Sequence, residues 1–191
     1  MSPEALVVTD LACQRGARTL FLGVSFRVEP GEALVLEGPN GSGKSSLLRI
    51  LAGLLAPAAG TIDGGGACGF LGHDTALKAR MTVGAELSHW ARLDDGLERL
   101  PAAMAAVNVA GLADVPCRIL SSGQRRRAGL ARVIASGAPL WLLDEPTAGL
   151  DSASCDLLAA AMAAHRAHGG LVVAAVHGDI GLVGAQSLRL G

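Results

Sequence analysis

Residues 34–51 read LVLEGPNGSGKSSLLRIL, and three patterns meet in that stretch. The run from Leu34 to Leu36 is short and continuously apolar, as in a strand buried on both faces of a parallel sheet. Beyond it Leu48, Leu51 and Leu55 recur at helical spacing. Between strand and helix, Gly38 to Ser45 satisfies G-x-x-x-x-G-K-S. Gly38, Gly41 and Gly43 let the backbone curl until its N–H groups converge on a phosphate, with Pro39, Asn40 and Ser42 completing the loop and Ser46 in the first helical turn. Lys44 sets a flexible positive charge against the outer phosphates, and the Ser45 hydroxyl is a ligand for magnesium. The stretch predicts a nucleoside triphosphate site, without saying what the energy is used for.

Working outward, residues 5–10 (ALVVTD) and 19–28 (TLFLGVSFRV) read as strands. The second alternates Leu20, Leu22, Val24, Phe26 and Val28 on one face and ends in the turn at Pro30 and Gly31. Residues 57–66 (PAAGTIDGGG) read as a loop, and CGFLG from Cys68 as a further strand. From Thr82 to Ala113 the pattern is helical and alanine-rich, with Pro101 opening a new helix after the acidic break at 92–96. Then come a helix over 122–136, a strand at LWLLD (140–144), a helix over 153–168, a strand at LVVAAVH (171–177) and an edge strand at QSLRL (186–190). Short apolar strands alternating with helices predict an α/β fold with a mostly parallel sheet.

The 191 residues suffice for one domain with a full core. Half are apolar, yet there are three Phe, two Trp and no Tyr, so the core must be built from Ala, Leu, Val and Gly and offers few platforms for stacking bases. Sixteen Lys plus Arg against seventeen Asp plus Glu give a net charge of −1, which argues against broad capture of nucleic acid. Cys13, Cys68, Cys117 and Cys155 lie far apart, as buried small hydrophobes in a reducing compartment would. No C-x-x-C-H occurs, and His89, His165 and His168 stand in helical stretches where a packed or solvated ring is the default, so direct haem ligation is not predicted. Neither a signal peptide nor an uninterrupted run of about twenty apolar residues is found, which predicts a chain made in the cytosol.

Three further sites carry chemistry. In LWLLDEP (140–146) four apolar residues bring Asp144 to the carboxyl end of a buried strand, where open parallel sheets bind ligands. Asp144 there can hold magnesium and Glu145 can take the proton of an attacking water; a solvated loop start is the alternative. His177, at the end of another strand, is placed to sense a terminal phosphate. Residues 118–127 read RILSSGQRRR, where Ser121 and Ser122 fit a helix start. Either a serine cap before a solvated basic face or an anion at the helix N-terminus satisfies that string.

GPNGSGKS, LSSGQ (120–124), LLDEP, AGLD (148–151) and His177, in that order, resemble the nucleotide-binding domain of ABC transporters, a P-loop NTPase family. The resemblance implies a helical subdomain and a small antiparallel edge beside the parallel sheet. It divides residues 1–191 into a core of 1–72 and 118–191 and a helical subdomain of 73–117. It implies ATP and Mg²⁺ as cofactors, with Lys44, Asp144, Glu145 and His177 catalytic and Ser45 and Asp144 on the metal. It implies a homodimer in the ATP-bound state, joined head to tail, in which Ser121, Ser122, Gly123 and Gln124 cap the nucleotide of the second subunit and Asp151 organises a loop crossing the interface. Two positions depart from the family. The aromatic residue that stacks on adenine is replaced by Arg15, and the glutamine that senses the metal by His73.

The stretches CQRGARTLFLGVSF, FLGHDTALKARMTV and ILSSGQRRRAGLARV are similar to one branch, the ATP-binding subunit of the bacterial haem exporter complex of cytochrome c maturation. That similarity implies an ATPase peripheral to the cytoplasmic face of the inner membrane, partnered by integral membrane permease subunits, with no nucleic acid partner. It also implies a docking groove edged by Leu77, Lys78, Arg80 and Met81. The ATPase of another small ABC exporter and a non-transport soluble ABC ATPase are the alternatives.

Overall fold

The structure is a computed structural model that describes residues 4–176, 178 and 180–191. Along the chain run β1 (Leu6–Arg15), β2 (Arg18–Val28), β3 (Ala33–Glu37), α1 (Lys44–Leu51), β4 (Ala59–Asp63), β5 (Cys68–Leu71), α2 (Val83–Leu93), α3 (Leu100–Ala106), α4 (Ser122–Ser136), β6 (Leu140–Asp144), α5 (Ser152–Ala167), β7 (Leu171–Ala175) and β8 (Gln186–Arg189). Short 3-10 turns at Ala110–Leu112 and Cys117–Ile119 connect α3 to α4.

Strands β5, β6, β7, β3 and β8, in that order, form a parallel sheet. Its inner strands are apolar throughout because both faces are covered. On one face Leu34, Leu36, Leu142, Leu171 and Val173 pack with Leu47 and Leu48 of α1 and with Leu6, Leu11 and Phe21 of the antiparallel sheet β2-β1-β4. On the other, Trp141, Leu143, Val172 and Ala174 pack with α4, α5 and the helical segment through Leu87, Leu130, Leu158 and Met162. Each fully buried Leu or Val contributes about 1.5–3 kcal/mol, so this double face is the main source of stability.

Three sequence expectations are corrected. Residues 59–63 are not loop: Val7, Val8 and Thr9 of β1 pair antiparallel with Asp63, Ile62 and Thr61 of β4. The strand is mostly exposed, so its sequence lacks the apolar alternation that marks a half-buried strand. The even alternation in β2 also fails. Phe21 is buried whereas Leu22 is 73% exposed, because the pairing shifts between Leu11↔Val24 and Cys13↔Phe21, where Gly23 has φ 63. A bulge of this kind moves every side chain beyond it to the other face. Thirdly, Leu77 is 9% exposed and belongs to the core, leaving Lys78 and Arg80 as the outward residues of that edge. Ala76 at φ 55 marks a left-handed turn of the main chain just before Leu77.

The basic run after the signature is not a solvated face either. Arg127 donates through Nη1 to the carbonyls of Asn108 at 2.8 Å and Val107 at 3.3 Å, just after α3. Arg126 is buried. Arg132, a turn further, donates to Phe70 O and lies over the Trp90 ring at 4.8 Å, tying α2 to the core.

Candidate functional site

The loop between β3 and α1 is shaped by backbone constraints that only glycine meets. At Gly38 (φ 135) a Cβ would lie 2.2 Å from Leu190 O, and at Gly43 (φ 106) it would lie 2.8 Å from the Phe21 ring. Gly43 also precedes α1 without any side-chain cap, so the first-turn N–H groups of the helix carry no side-chain acceptor. These residues open a cavity of about 260 Å³ lined by Asn40, Gly41, Gly43, Lys44, Ser45 and Ser46, and from other elements by Arg15, Arg18, Leu20, Arg49 and Glu145. Pro39 and Asn40 edge a second, more open cavity with Gly38, Val176 and Gly178. Ser42 lies buried beneath the loop, its hydroxyl without a hydrogen-bond partner.

Lys44 is only 6% exposed, and its Nζ donates to Gly38 O at 2.6 Å and Pro39 O at 3.2 Å. Its ammonium is thereby held at the mouth of the curl. Ser45 Oγ donates to Asp144 Oδ1 at 3.0 Å across 99 residues of sequence. Asp144 is 2% exposed and its second oxygen, Oδ2, has no hydrogen-bond partner. A buried carboxylate oxygen left this way is costly in an apolar setting. A hydroxyl and a carboxylate at the base of a phosphate-shaped loop are the hard oxygen donors that magnesium takes. The residues therefore fit that ion.

Glu145 follows directly and lines the cavity. Its backbone has φ 49, a left-handed conformation that side-chain-bearing residues adopt at a cost of about 1–2 kcal/mol. The Glu145 N–H donates to Ala175 O at 2.9 Å, and its carbonyl accepts from Ala148 N–H at 3.1 Å.

The positive lining is denser than the sequence reading anticipated. Arg15 and Arg18 flank a two-residue turn, with Gly16 at φ 60, and sit opposite each other in the β1–β2 ladder. Like charges placed this way repel, and Arg49 of α1 adds a third guanidinium to the same cavity. Arg18 and Arg49 were not singled out from sequence. The cross-strand rule for a two-residue hairpin was the available signal for Arg18.

The signature residues are placed elsewhere. Ser121 caps α4 reciprocally: its Oγ accepts from Gln124 N–H at 3.2 Å, and Gln124 Oε1 accepts from Ser121 N–H at 2.9 Å. Gly123 packs on the 148–151 loop so closely that a Cβ would meet Gly149 O at 2.6 Å. Asp151 caps α5, accepting from Ser154 N–H at 2.8 Å, and hydrogen bonding from the Ser154 hydroxyl together with that N–H holds its carboxyl below the usual carboxylate range. Ser122 and His73 line a separate cavity of about 320 Å³ with Thr75, Arg125, Arg126 and Gly149. The structure thus brings Arg15, Glu145 and the loop residues together. It does not bring Ser121, Ser122, Gly123, Gln124, Asp151 or His73 to that cavity. His177 lies outside the described residues.

The family model described as ABC transporter matches residues 21–148, and the chain belongs to that family, as a subunit of its ATP-binding, ATP-hydrolysing type. Among curated proteins it is similar to the cytochrome c biogenesis ATP-binding export protein CcmA of Rhodospirillum rubrum, 48% identical over 99% of this chain and 87% of that protein. The CcmA protein of Paramagnetospirillum magneticum is 46% identical over 100% of this chain and 95% of its own length. Among solved structures, a bacterial ABC transporter cassette determined as a dimer superposes with a TM-score of 0.84 at 20% identity, covering 97% of this chain and 94% of that one. A chain from Pyrococcus furiosus described as an ABC transporter ATP-binding protein also has a TM-score of 0.84, at 22% identity and 98% coverage of both. These likenesses establish the ABC ATPase fold.

Proposed function

We propose that this chain is the ATP-hydrolysing subunit of a membrane complex for cytochrome c biogenesis, coupling hydrolysis to haem export or to release of a haem-loaded carrier. The observation that supports hydrolysis is the Ser45–Asp144 pair with its unpartnered Oδ2, set beneath the Lys44 loop and one residue from Glu145. The assignment to cytochrome c biogenesis is supported by relatives of 46–48% identity over nearly the whole chain.

In this reading the triphosphate lies along the loop, and the three arginines and Lys44 offset its charge. Lys44 turns from its two carbonyls to the outer phosphates. Magnesium would be held by Ser45 and Asp144, and when bound it neutralises charge developing on the transferred phosphoryl group. Glu145 accepts the proton of the attacking water, and its fixed left-handed backbone aims the carboxylate. His177 senses the terminal phosphate. Ser121, Ser122, Gly123 and Gln124 complete the site of a second copy, with Asp151 ordering the adjoining loop. Residues 1–72 and 118–191 act as the core and 73–117 as the helical subdomain. The outward Lys78 and Arg80 meet a permease subunit at the cytoplasmic face of the inner membrane.

Deleting the gene and assaying c-type cytochromes by haem staining tests this. Mature cytochromes c are expected to vanish, to return with the wild-type chain, and to stay absent with Glu145→Gln, which binds ATP but turns it over at least about a hundredfold more slowly. Normal cytochromes c in the deletion strain would refute the biological role. Full turnover by Glu145→Gln would refute the assignment of the base.

A further inference from the structure

Arg126 lies on α4 three positions after Gly123 and is 4% exposed. Its Nη1 donates to Gly72 O at 2.7 Å and His73 O at 3.4 Å, and its Nη2 donates to Asp144 O at 3.0 Å and Glu145 O at 2.6 Å. One planar fork therefore joins the carboxyl ends of β5 and β6, the edge of the sheet at which ligands bind. Burial disfavours the charge, and the nearby Asp144 and Glu145 carboxylates act in the opposite sense. A buried cation that spends its donors on four backbone carbonyls at that edge fixes main chain, not side chains.

The main chain it fixes is the strained one. Glu145 holds φ 49, and its peptide groups are tied by the bond to Ala175 O, the turn bond from Ala148 and the Arg126 fork. Without the fork, the carbonyls of Asp144 and Glu145 lose their common donor, and the balance shifts toward a negative φ that re-aims the carboxylate. We propose that Arg126 is a positioning residue for hydrolysis: it locks the 144–145 main chain in the conformation that delivers Glu145 to the phosphate cavity, and it binds that conformation to the 72–73 turn. It acts through the main chain that it holds. The inference rests on the reading of Glu145 as the base.

Arg126→Lys keeps the charge but offers one compact ammonium, which cannot serve carbonyls on two strands as a fork does. Arg126→Met removes all four bonds. For the purified full chain, ATP affinity by equilibrium binding is expected to stay within about threefold for the Lys variant while kcat at saturating ATP falls about tenfold or more, since a misplacement near 1 Å can cost about a hundredfold. Hydrogen exchange at the Glu145 amide is expected to quicken at least about tenfold, with amides of α5 unchanged, because local opening sets that rate. The Met variant should lose more turnover; should it fail to fold, the Lys variant decides. A Lys variant whose kcat is within twofold of wild type, or whose ATP affinity falls in step with kcat, overturns the proposal. A wild-type chain with no ATP turnover overturns the hydrolysis reading, and this inference with it.

Discussion

At the cavity mouth Lys44 donates to two loop carbonyls, so a triphosphate takes over an ammonium that is already desolvated and aimed. The base end of the site is less usual. Arg15 and Arg18 face each other across a hairpin and, with Leu20, form one wall of the cavity, where the proposed reading sets the base against Arg15. A guanidinium plane stacks on any purine, so discrimination between ATP and GTP is expected to be about tenfold or less. Competition binding checks this, and a preference above a hundredfold would mean directed hydrogen bonds to the base edge. The residues of the 38–45 loop were legible from sequence because each answers a local demand: a positive φ, a close approach, a charge one turn along. Arg126 was not, since its acceptors are backbone carbonyls 18 to 54 residues away, and every residue carries a carbonyl. Nothing in three consecutive arginines says which will be buried.

Among the elements, α4 was read with its observed limits, Ser122 to Ser136, because both ends carry local chemistry. Ser121 and Gln124 close a capping box, and Gly137 at φ 67 ends the helix. Strand β4 was missed and the alternation of β2 misread for the converse reason: both depend on pairing with β1, whose register shifts between Val8 and Gln14 are set by its partners. The opening turn of α4 gives an element-scale test. A Cβ at Gly123 would strike Gly149 O at 2.6 Å, whereas one at Gly111 meets nothing within 4 Å. Gly123→Ala is therefore expected to cost about 1–3 kcal/mol, lowering the melting temperature by about 2–4 °C per kcal/mol, while Gly111→Ala leaves it nearly unchanged. Equal melting temperatures for the two variants would show that the 148–151 loop simply yields.

For the whole molecule, the residues of the proposed site fall in two places. The loop, Asp144 and Glu145 stand at one cavity, and the capping box of α4 with Ser122 stands at another place in the same chain. In the proposed reading two chains related head to tail join them, each lending its α4 start to the other's phosphates, which is the arrangement that the family resemblance implies from LSSGQ. No helix among the described residues is long and apolar enough to cross a membrane, and the proposed attachment is through a partner surface that includes the exposed Lys78 and Arg80. LSSGQ named that destination only through the family resemblance, because a cap that is satisfied within its own chain looks the same whether or not a phosphate from another chain approaches it. Sedimentation of Glu145→Gln with ATP, beside the same protein carrying Ser121→Arg, tests the central claim most directly. The account predicts an ATP-dependent dimer for Glu145→Gln and a monomer that still binds ATP for its Ser121→Arg derivative; a Ser121→Arg derivative that dimerises as readily as its parent would contradict it.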